Sequence, residues 1–178
     1  RLSFRDFLDG KLEIRPDEKP TEADWWDHLS TAFPEVRLKS FLEMRGADGG
    51  PWSRICALPA FWVGLLYDGE ALDAAETLTS AWTYEDVLAQ RDAVPRQGID
   101  ASFGSGTLRD VARDVLAISR LGLKNRARKN REGFDETNFL SPLDEVVARG
   151  TTSADEMVTA YHTRWGGSIE PVFLEYAY

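Results

Sequence analysis

Charged and apolar side chains alternate along residues 34–46 of this chain. One parity carries the charges, at Glu35, Arg37, Lys39, Glu43 and Arg45, and the other carries Val36, Leu38, Leu42 and Met44. Successive side chains of an extended chain point to opposite faces. The pattern therefore predicts a strand with one apolar face on a core and charges of both signs on the other face. Only Ser40 and Phe41 interrupt the alternation.

The simplest interpretation of this segment is the solvated face of an edge strand, since charges on sheet edges also prevent aggregation. The residues that follow favour a binding site instead. Residues 46–50 form a Gly-rich turn that ends in Pro51 and Trp52 rather than in small polar residues. Such a loop allows the backbone to approach a ligand closely.

Glu43 and Arg45 are two residues apart, so they lie side by side on the charged face. A carboxylate can hold a hard cation, while a guanidinium group binds a phosphate or carboxylate through two hydrogen bonds. This pair suits phosphoryl transfer with magnesium. The same spacing also describes a local ion pair on one strand.

Composition limits the classes of partner. The chain has 178 residues and a formal charge of −9, from 30 acidic and 21 basic residues. An acidic chain is a poor match for nucleic acid or for an anionic membrane, because either partner requires an excess of positive charge. No stretch reaches the length needed to span a bilayer, and no secretory pattern opens the chain, so we expect a cytoplasmic protein.

Cysteine chemistry is not predicted for this chain. Cys56 is the only cysteine, so no disulfide can form within the sequence, and it lies in an apolar run typical of a small core residue. A nucleophilic cysteine needs a base partner. Neither His28 nor His162 is linked to Cys56 by any sequence signal.

Most of the chain is predicted to be helical. Thr21 and Asp24 resemble a capping box that starts a helix running to about Ala32. A buried helix is expected over 51–68, interrupted or kinked at Pro59 and stopped by Gly69. Further helices are predicted over 71–82 and 83–93, from Thr107, from Ser141 to Gly150, and from Thr152 or Ser153, with 95–106 as a loop. On the helix from Thr107, Arg109, Arg113 and Arg120 are expected to face outward.

Residues 27–68 resemble glutamate–cysteine ligases of the plant and proteobacterial type. The similarity rests on His-Leu-Ser-Thr-Ala-Phe-Pro-Glu-Val-Arg-Leu-Lys-Ser-Phe-Leu-Glu-Met-Arg-Gly-Ala-Asp-Gly-Gly-Pro-Trp and on Ile-Cys-Ala-Leu-Pro-Ala-Phe-Trp-Val-Gly-Leu-Leu-Tyr-Asp. It extends over nearly the whole chain, from Ser-Phe-Arg-Asp-Phe-Leu-Asp-Gly near the start to Trp-Gly-Gly-Ser-Ile-Glu-Pro-Val-Phe near the end, and is looser over 71–138. The match is to the C-terminal part of a family whose chains are more than twice as long. We therefore expect a fragment, a processed piece or a truncated copy.

The resemblance implies an α+β fold similar to glutamine synthetase, in which helices pack on an antiparallel active-site sheet. Residues 1–178 would be the C-terminal portion of that catalytic domain, with the key strand and Gly-rich turn over 34–52 and mainly helices over 53–178. The other strands would come from the missing N-terminal portion. On its own, the chain should leave strand edges and one apolar face uncovered.

The implied reaction joins the γ-carboxylate of L-glutamate to L-cysteine through a γ-glutamyl phosphate, with ATP and Mg²⁺. By resemblance, Glu43 is a magnesium ligand and Arg45 binds phosphate or substrate. In a single strand rising ~3.3 Å per residue, Arg37 and Lys39 would lie on the same face as Glu43, at distances from it of up to about 14–20 Å. There they could bind nucleotide phosphate or the substrate α-carboxylate. Trp52 and Arg54 could form a wall of the amino-acid pocket, although Trp52 could equally be a core anchor.

Two other functions fit the same residues. Another carboxylate–amine ligase of this fold would share Glu43 and Arg45 and differ in the amine that it accepts. A truncated, non-catalytic relative would instead act as an interaction module that binds a partner through the apolar side of its strand.

Overall fold

The computed structural model describes residues 3–31 and 33–177 and divides into two compact units, 1–48 and 49–178. The described residues are mostly helical with two small antiparallel hairpins, in agreement with the predicted α+β composition. The first unit contains α1 (Phe4–Leu8), α2 (Glu22–Ser30), β1 (Val36–Leu38) and β2 (Leu42–Met44). The second contains α3 (Trp52–Leu66), α4 (Gly69–Thr79), α5 (Tyr84–Gln97), β3 (Ser102–Phe103), β4 (Gly106–Thr107), α6 (Leu108–Arg126), α7 (Ser141–Arg149), α8 (Ser153–His162) and α9 (Val172–Glu175).

The capping box predicted at the start of α2 is present. The Thr21 hydroxyl accepts a hydrogen bond from the Asp24 backbone N–H, and the Asp24 carboxylate accepts one from the Thr21 backbone N–H. These two bonds satisfy N–H groups that have no partner within the helix. The helix ends at Ser30, and its predicted end at Ala32 lies outside the described residues.

The prediction of a single strand over 34–46 is wrong, because the segment folds as a β-hairpin. Val36 pairs with Met44, and Leu38 pairs with Leu42. Ser40 lies at the tip, where the Lys39 backbone N–H donates to the Phe41 carbonyl at 2.9 Å. The two residues that interrupt the alternation therefore belong to the turn. In this hairpin each strand provides the backbone hydrogen-bonding partner of the other.

Folding back keeps the charged residues on one face of the hairpin. The register pairs residues of the same parity, so Arg37 lies opposite Glu43. The apolar residues of the other parity are largely exposed, with 47% of Val36, 79% of Leu38 and 57% of Leu42 accessible to solvent. An uncovered apolar face was the expectation for this chain on its own.

Helices α3 and α4 differ from prediction at their junction. Helix α3 continues through Pro59 without interruption, and Gly69 does not stop it. Gly69 is the first residue of α4, because the Asp68 side chain accepts a hydrogen bond from the Ala71 backbone N–H and caps the new helix. By length and composition, no single helix among the described residues could span a membrane. Only α3 and α4 together reach the length, with a 91° bend between them.

The segment predicted as a loop over 95–106 contains regular structure. Helix α5 continues through Pro95 to Gln97, and a short 3₁₀ helix follows at Gly98–Asp100. Strands β3 and β4 then form a second hairpin that leads to α6. Thr107 caps α6 as predicted, in a complete capping box with Asp110. The predicted starts of α7 at Ser141 and of α8 after Thr152 are also confirmed.

The core of the second unit lies between α3 and α6. Leu116, Leu123 and Leu140 are buried there together with Ala60. Ser119 is fully buried on α6, and its hydroxyl donates to the Phe61 carbonyl of α3 at 2.9 Å. A buried hydroxyl requires a partner of this kind, because leaving it unpaired would cost stability.

Arg109 and Arg120 of α6 do not simply face outward, contrary to prediction, whereas Arg113 is exposed as predicted. Arg109 donates to the Val147 and Ala148 carbonyls near the end of α7. Arg120 forms an ion pair with Asp144 at the other end of that helix. Together with Arg113 these side chains line a cavity of about 480 Å³. Arg109 and Arg120 connect α6 to α7, because α7 offers carbonyls and a carboxylate on the side that it turns to α6.

Candidate active site

The charged face of the β1–β2 hairpin brings three candidate residues together. Arg37 Nε donates to Glu43 Oε2 at 2.6 Å, directly across the two strands. Arg45 Nε lies 3.8 Å from the same carboxylate oxygen. The expected separation of up to about 20 Å for Arg37 in a single strand is thus wrong, because the chain reverses between the two residues.

The Glu43 carboxylate is held in its charged form. The hydrogen bond from Arg37 lowers the pKa of Glu43 below its ordinary value, and the charges of Arg37, Lys39 and Arg45 act in the same direction. The side chain is 33% exposed. A deprotonated and accessible carboxylate at neutral pH is the chemical form that a hard cation requires.

Arg45 is the most enclosed of the three side chains, with 15% of its surface exposed. Its guanidinium carbon lies 3.5 Å from the centre of the Phe33 ring, which places the cation over the aromatic face. Its backbone N–H donates to the Glu35 carbonyl at 2.8 Å. Phe33 was not among the residues predicted from the sequence. Its parity, which matches that of Arg45, was the available signal.

The other predicted site residues lie elsewhere. Lys39 is at the hairpin turn, where its Nζ is 6.0 Å from the centre of the Phe41 ring. Trp52 and Arg54 belong to the second unit, at the first turn of α3. Trp52 is 76% exposed, so it is not a core anchor. Arg54 is partly buried and lies against Gly50.

The donor set tests whether magnesium fits this hairpin. Glu43 supplies one carboxylate in its charged form, which is a suitable oxygen ligand. No group of three His, Cys, Asp or Glu residues that could hold a metal occurs among residues 3–31 and 33–177. The hairpin therefore fits as the donor of one ligand, and the remaining ligands of a magnesium site would come from outside these residues.

The fold is that of a mostly helical α+β protein. Its charged hairpin brings one carboxylate next to two guanidinium groups, and such a set can bind a cation and an anion. The family described as glutamate-cysteine ligase family 2 (GCS2) matches residues 8–175. The match covers most of the sequence, so the chain belongs to this family.

Three plant proteins illustrate the similarity. The chain is 50% identical over 177 residues to the chloroplastic glutamate--cysteine ligases of Nicotiana tabacum and Solanum lycopersicum. It is also 50% identical to the chloroplastic glutamate--cysteine ligase A of Oryza sativa subsp. indica. Each match covers 99% of this chain but only 33% to 35% of the relative, so the chain spans about a third of their length. The predicted cytoplasmic location is contradicted by these relatives, which are named as chloroplastic.

Proposed function

We propose that this chain is the C-terminal portion of an enzyme that joins L-glutamate to L-cysteine at the expense of ATP. The relatives that it matches are named glutamate--cysteine ligases, and they are about three times as long as the matched region. Such a ligation is the first step in making glutathione. The complete site would need the rest of the longer chain, because the described residues offer only one metal ligand at the hairpin.

The chemistry requires activation of a poor electrophile. An amine does not readily displace oxygen from a carboxylate, so the γ-carboxylate of glutamate first attacks the terminal phosphorus of ATP. The bond between the γ-phosphorus and the β,γ-bridging oxygen of ATP breaks, which gives γ-glutamyl phosphate and ADP. The cysteine amine then attacks the acyl carbon of γ-glutamyl phosphate, loses a proton and displaces phosphate. Catalysis of phosphoryl transfer is mainly positioning and charge stabilisation. Bound Mg²⁺ would neutralise part of the charge on the phosphoryl oxygens.

Within this scheme, each hairpin residue has a separate role. Glu43 binds the cation through its carboxylate, and Arg45 binds the phosphoryl group or the substrate through its guanidinium group. The observation that carries the proposal is the shared contact of Arg37 and Arg45 with Glu43 on one charged face. Arg37 and Lys39 are proposed to bind anionic groups of ATP or glutamate, and Trp52 and Arg54 to border the amino-acid pocket.

The hairpin is also proposed to belong to a larger sheet. In a fold similar to glutamine synthetase, further strands from the rest of the enzyme would pair with β1 and β2 and helices would cover their apolar side. The exposure of Leu38 and Leu42 supports this arrangement, since a hairpin of two short strands is marginally stable by itself.

Site-directed variants of the full-length enzyme test the assignment. We expect Glu43→Gln and Arg45→Ala each to lower cysteine-dependent phosphate release from ATP and glutamate by at least ~10²-fold, as is typical when a group that stabilises transferring charge is removed. Arg15→Ala is the control, because Arg15 forms an exposed ion pair with Glu18 in the same unit. Activity of Glu43→Gln and Arg45→Ala close to that of the control would contradict the proposed roles.

The exposed apolar side of the hairpin also favours a second candidate, a non-catalytic relative that binds a partner. In that case, Leu38→Lys would abolish binding of the partner, whereas Glu43→Gln would leave binding intact. Turnover of full-length enzyme with cysteine would exclude this candidate. Turnover with another amine in place of cysteine would instead indicate a different carboxylate–amine ligase.

A further inference from the structure

One oxygen atom of the hairpin has two cationic neighbours. Glu43 Oε2 accepts the hydrogen bond of Arg37 at 2.6 Å and lies 3.8 Å from Arg45 Nε. This carboxylate is also the group that the proposed function gives to a divalent cation. A magnesium ion would have to approach a carboxylate oxygen to about 2.0–2.1 Å. A second cationic centre on the same oxygen would repel the ion strongly at that distance.

The two arginines differ in their freedom to leave Glu43. Arg45 is stacked on Phe33 and only 15% exposed, so its position is fixed by packing as well as by charge. Arg37 is 41% exposed, and its guanidinium group pairs with Glu43. A solvated guanidinium group can leave a partner without becoming a buried, unpaired charge.

We propose that Arg37 is a positioning residue that orients the Glu43 carboxylate before the cation binds and competes with the cation for it. Cation binding then displaces the Arg37 guanidinium group, which remains on the charged face and can bind an anion such as a phosphate. This inference rests on the proposed role of Glu43 as a metal ligand. It assigns to Arg37 and Arg45 different roles that their similar chemistry does not reveal.

Metal binding to full-length enzyme without nucleotide tests the competition directly. The probe is Mn²⁺, whose free and bound forms are distinguished by electron paramagnetic resonance. Arg37→Gln removes the competing charge, so we expect it to raise Mn²⁺ affinity by about threefold to tenfold, the range expected for losing a partly solvated charged hydrogen bond. Arg15→Gln removes one positive charge from the same unit and should change the affinity by less than about twofold.

Two further variants separate this inference from the proposed function. If Glu43 binds the metal, Glu43→Gln lowers Mn²⁺ affinity, and adding Arg37→Gln to it produces no gain. An unchanged affinity in Glu43→Gln would overturn both the metal role and the competition. A loss in Glu43→Gln with unchanged or weaker binding in Arg37→Gln would overturn the competition alone. Circular dichroism of each variant checks that the fold is retained.

Discussion

Two glycines allow α3 and α6 of the second unit to pack closely. A Cβ atom at Gly122 of α6 would overlap the Gly64 carbonyl oxygen of α3, and one at Gly64 would overlap the backbone and side chain of Ser119. Both overlaps involve backbone atoms, which cannot rotate away as the end of a side chain can. Glycine is therefore required here by packing.

We expect Gly122→Ala to destabilise the second unit by about 3 kcal/mol or more, because the added methyl group forces two packed backbones apart. Chemical denaturation of the 178-residue chain measures the change in the free energy of unfolding. Gly69→Ala is the control, since Gly69 begins α4 and an added Cβ there meets no atom within 4 Å. Equal stabilities of the two variants would contradict the packing argument.

Arginine and carboxylate pairs show how similar residues acquire different environments. Arg37 and Arg45 both contact Glu43, yet Arg45 is also stacked on the Phe33 ring. The charged face was predictable from parity. Parity also places Phe33 on that face, but its stacking on Arg45 depends on how the chain enters β1.

Helix starts are the most regular elements of this protein. Among residues 3–31 and 33–177, four helices begin with a complete capping box in which a Thr precedes an Asp by three residues: α2, α5, α6 and α8. In each box the Asp carboxylate accepts hydrogen bonds from the Thr, and these bonds lower the pKa of the Asp. The effect is largest at Asp110, whose pKa is lowered from 3.8 to about 2 by the Thr107 hydroxyl and then by Arg113.

The lowered pKa of Asp110 predicts an acid-dependent loss of stability. The unfolded chain binds this proton near pH 3.8 and the folded chain only near pH 2, so the stabilisation is complete above that range and is lost as the pH falls through it. Asp110→Asn should therefore make the melting temperature less dependent on pH between about 4 and 2. Asp114→Asn, which removes a carboxylate of the same helix outside the box, is the control. An unaltered pH dependence in Asp110→Asn would contradict the assignment.

The hairpin illustrates what a repeating pattern leaves undecided. A period of two is satisfied equally by one long strand and by two short strands whose register pairs residues of the same parity. Val36 opposite Met44 meets this condition. The interruption at Ser40 and Phe41 marks the turn, but an interruption of two residues also fits an irregularity within one strand.

The two units of the chain differ in how much apolar core they bury. Among the described residues, the buried apolar side chains lie between Ala57 and Trp165, and no described residue of 1–48 is a buried apolar residue. Burial of apolar surface is the main source of stability. The first unit depends more on capping, on the aromatic cluster of Phe4, Trp25 and His28, and on ion pairs.

Hydrogen exchange should reveal this difference. In the 178-residue chain, we expect amides in the centres of α3 and α6 to exchange at least about tenfold more slowly than those of β1 and β2, because opening the helices exposes the core. If the hairpin joins a larger sheet, its amides become more protected in the full-length enzyme while those of α6 change little. Hairpin amides as protected as α6 in the shorter chain would show that the two units share one cooperative unfolding.

The sequence by itself determined the helix starts, the mainly helical composition, the charged parity of 35–45 and membership of the ligase family. Each of these depends on local chemistry or on residue order. A Thr and an Asp three residues later form a capping box, and the charged residues stay on one face in any strand pairing that places residues of the same parity opposite each other. Only the tertiary structure decided that the chain reverses at Ser40, that Arg109 and Arg120 bind α7, and that Glu43 lies between two guanidinium groups. Those contacts join residues separated along the chain, and such pairing is selected by packing and hydrogen bonding across the fold rather than by local preference.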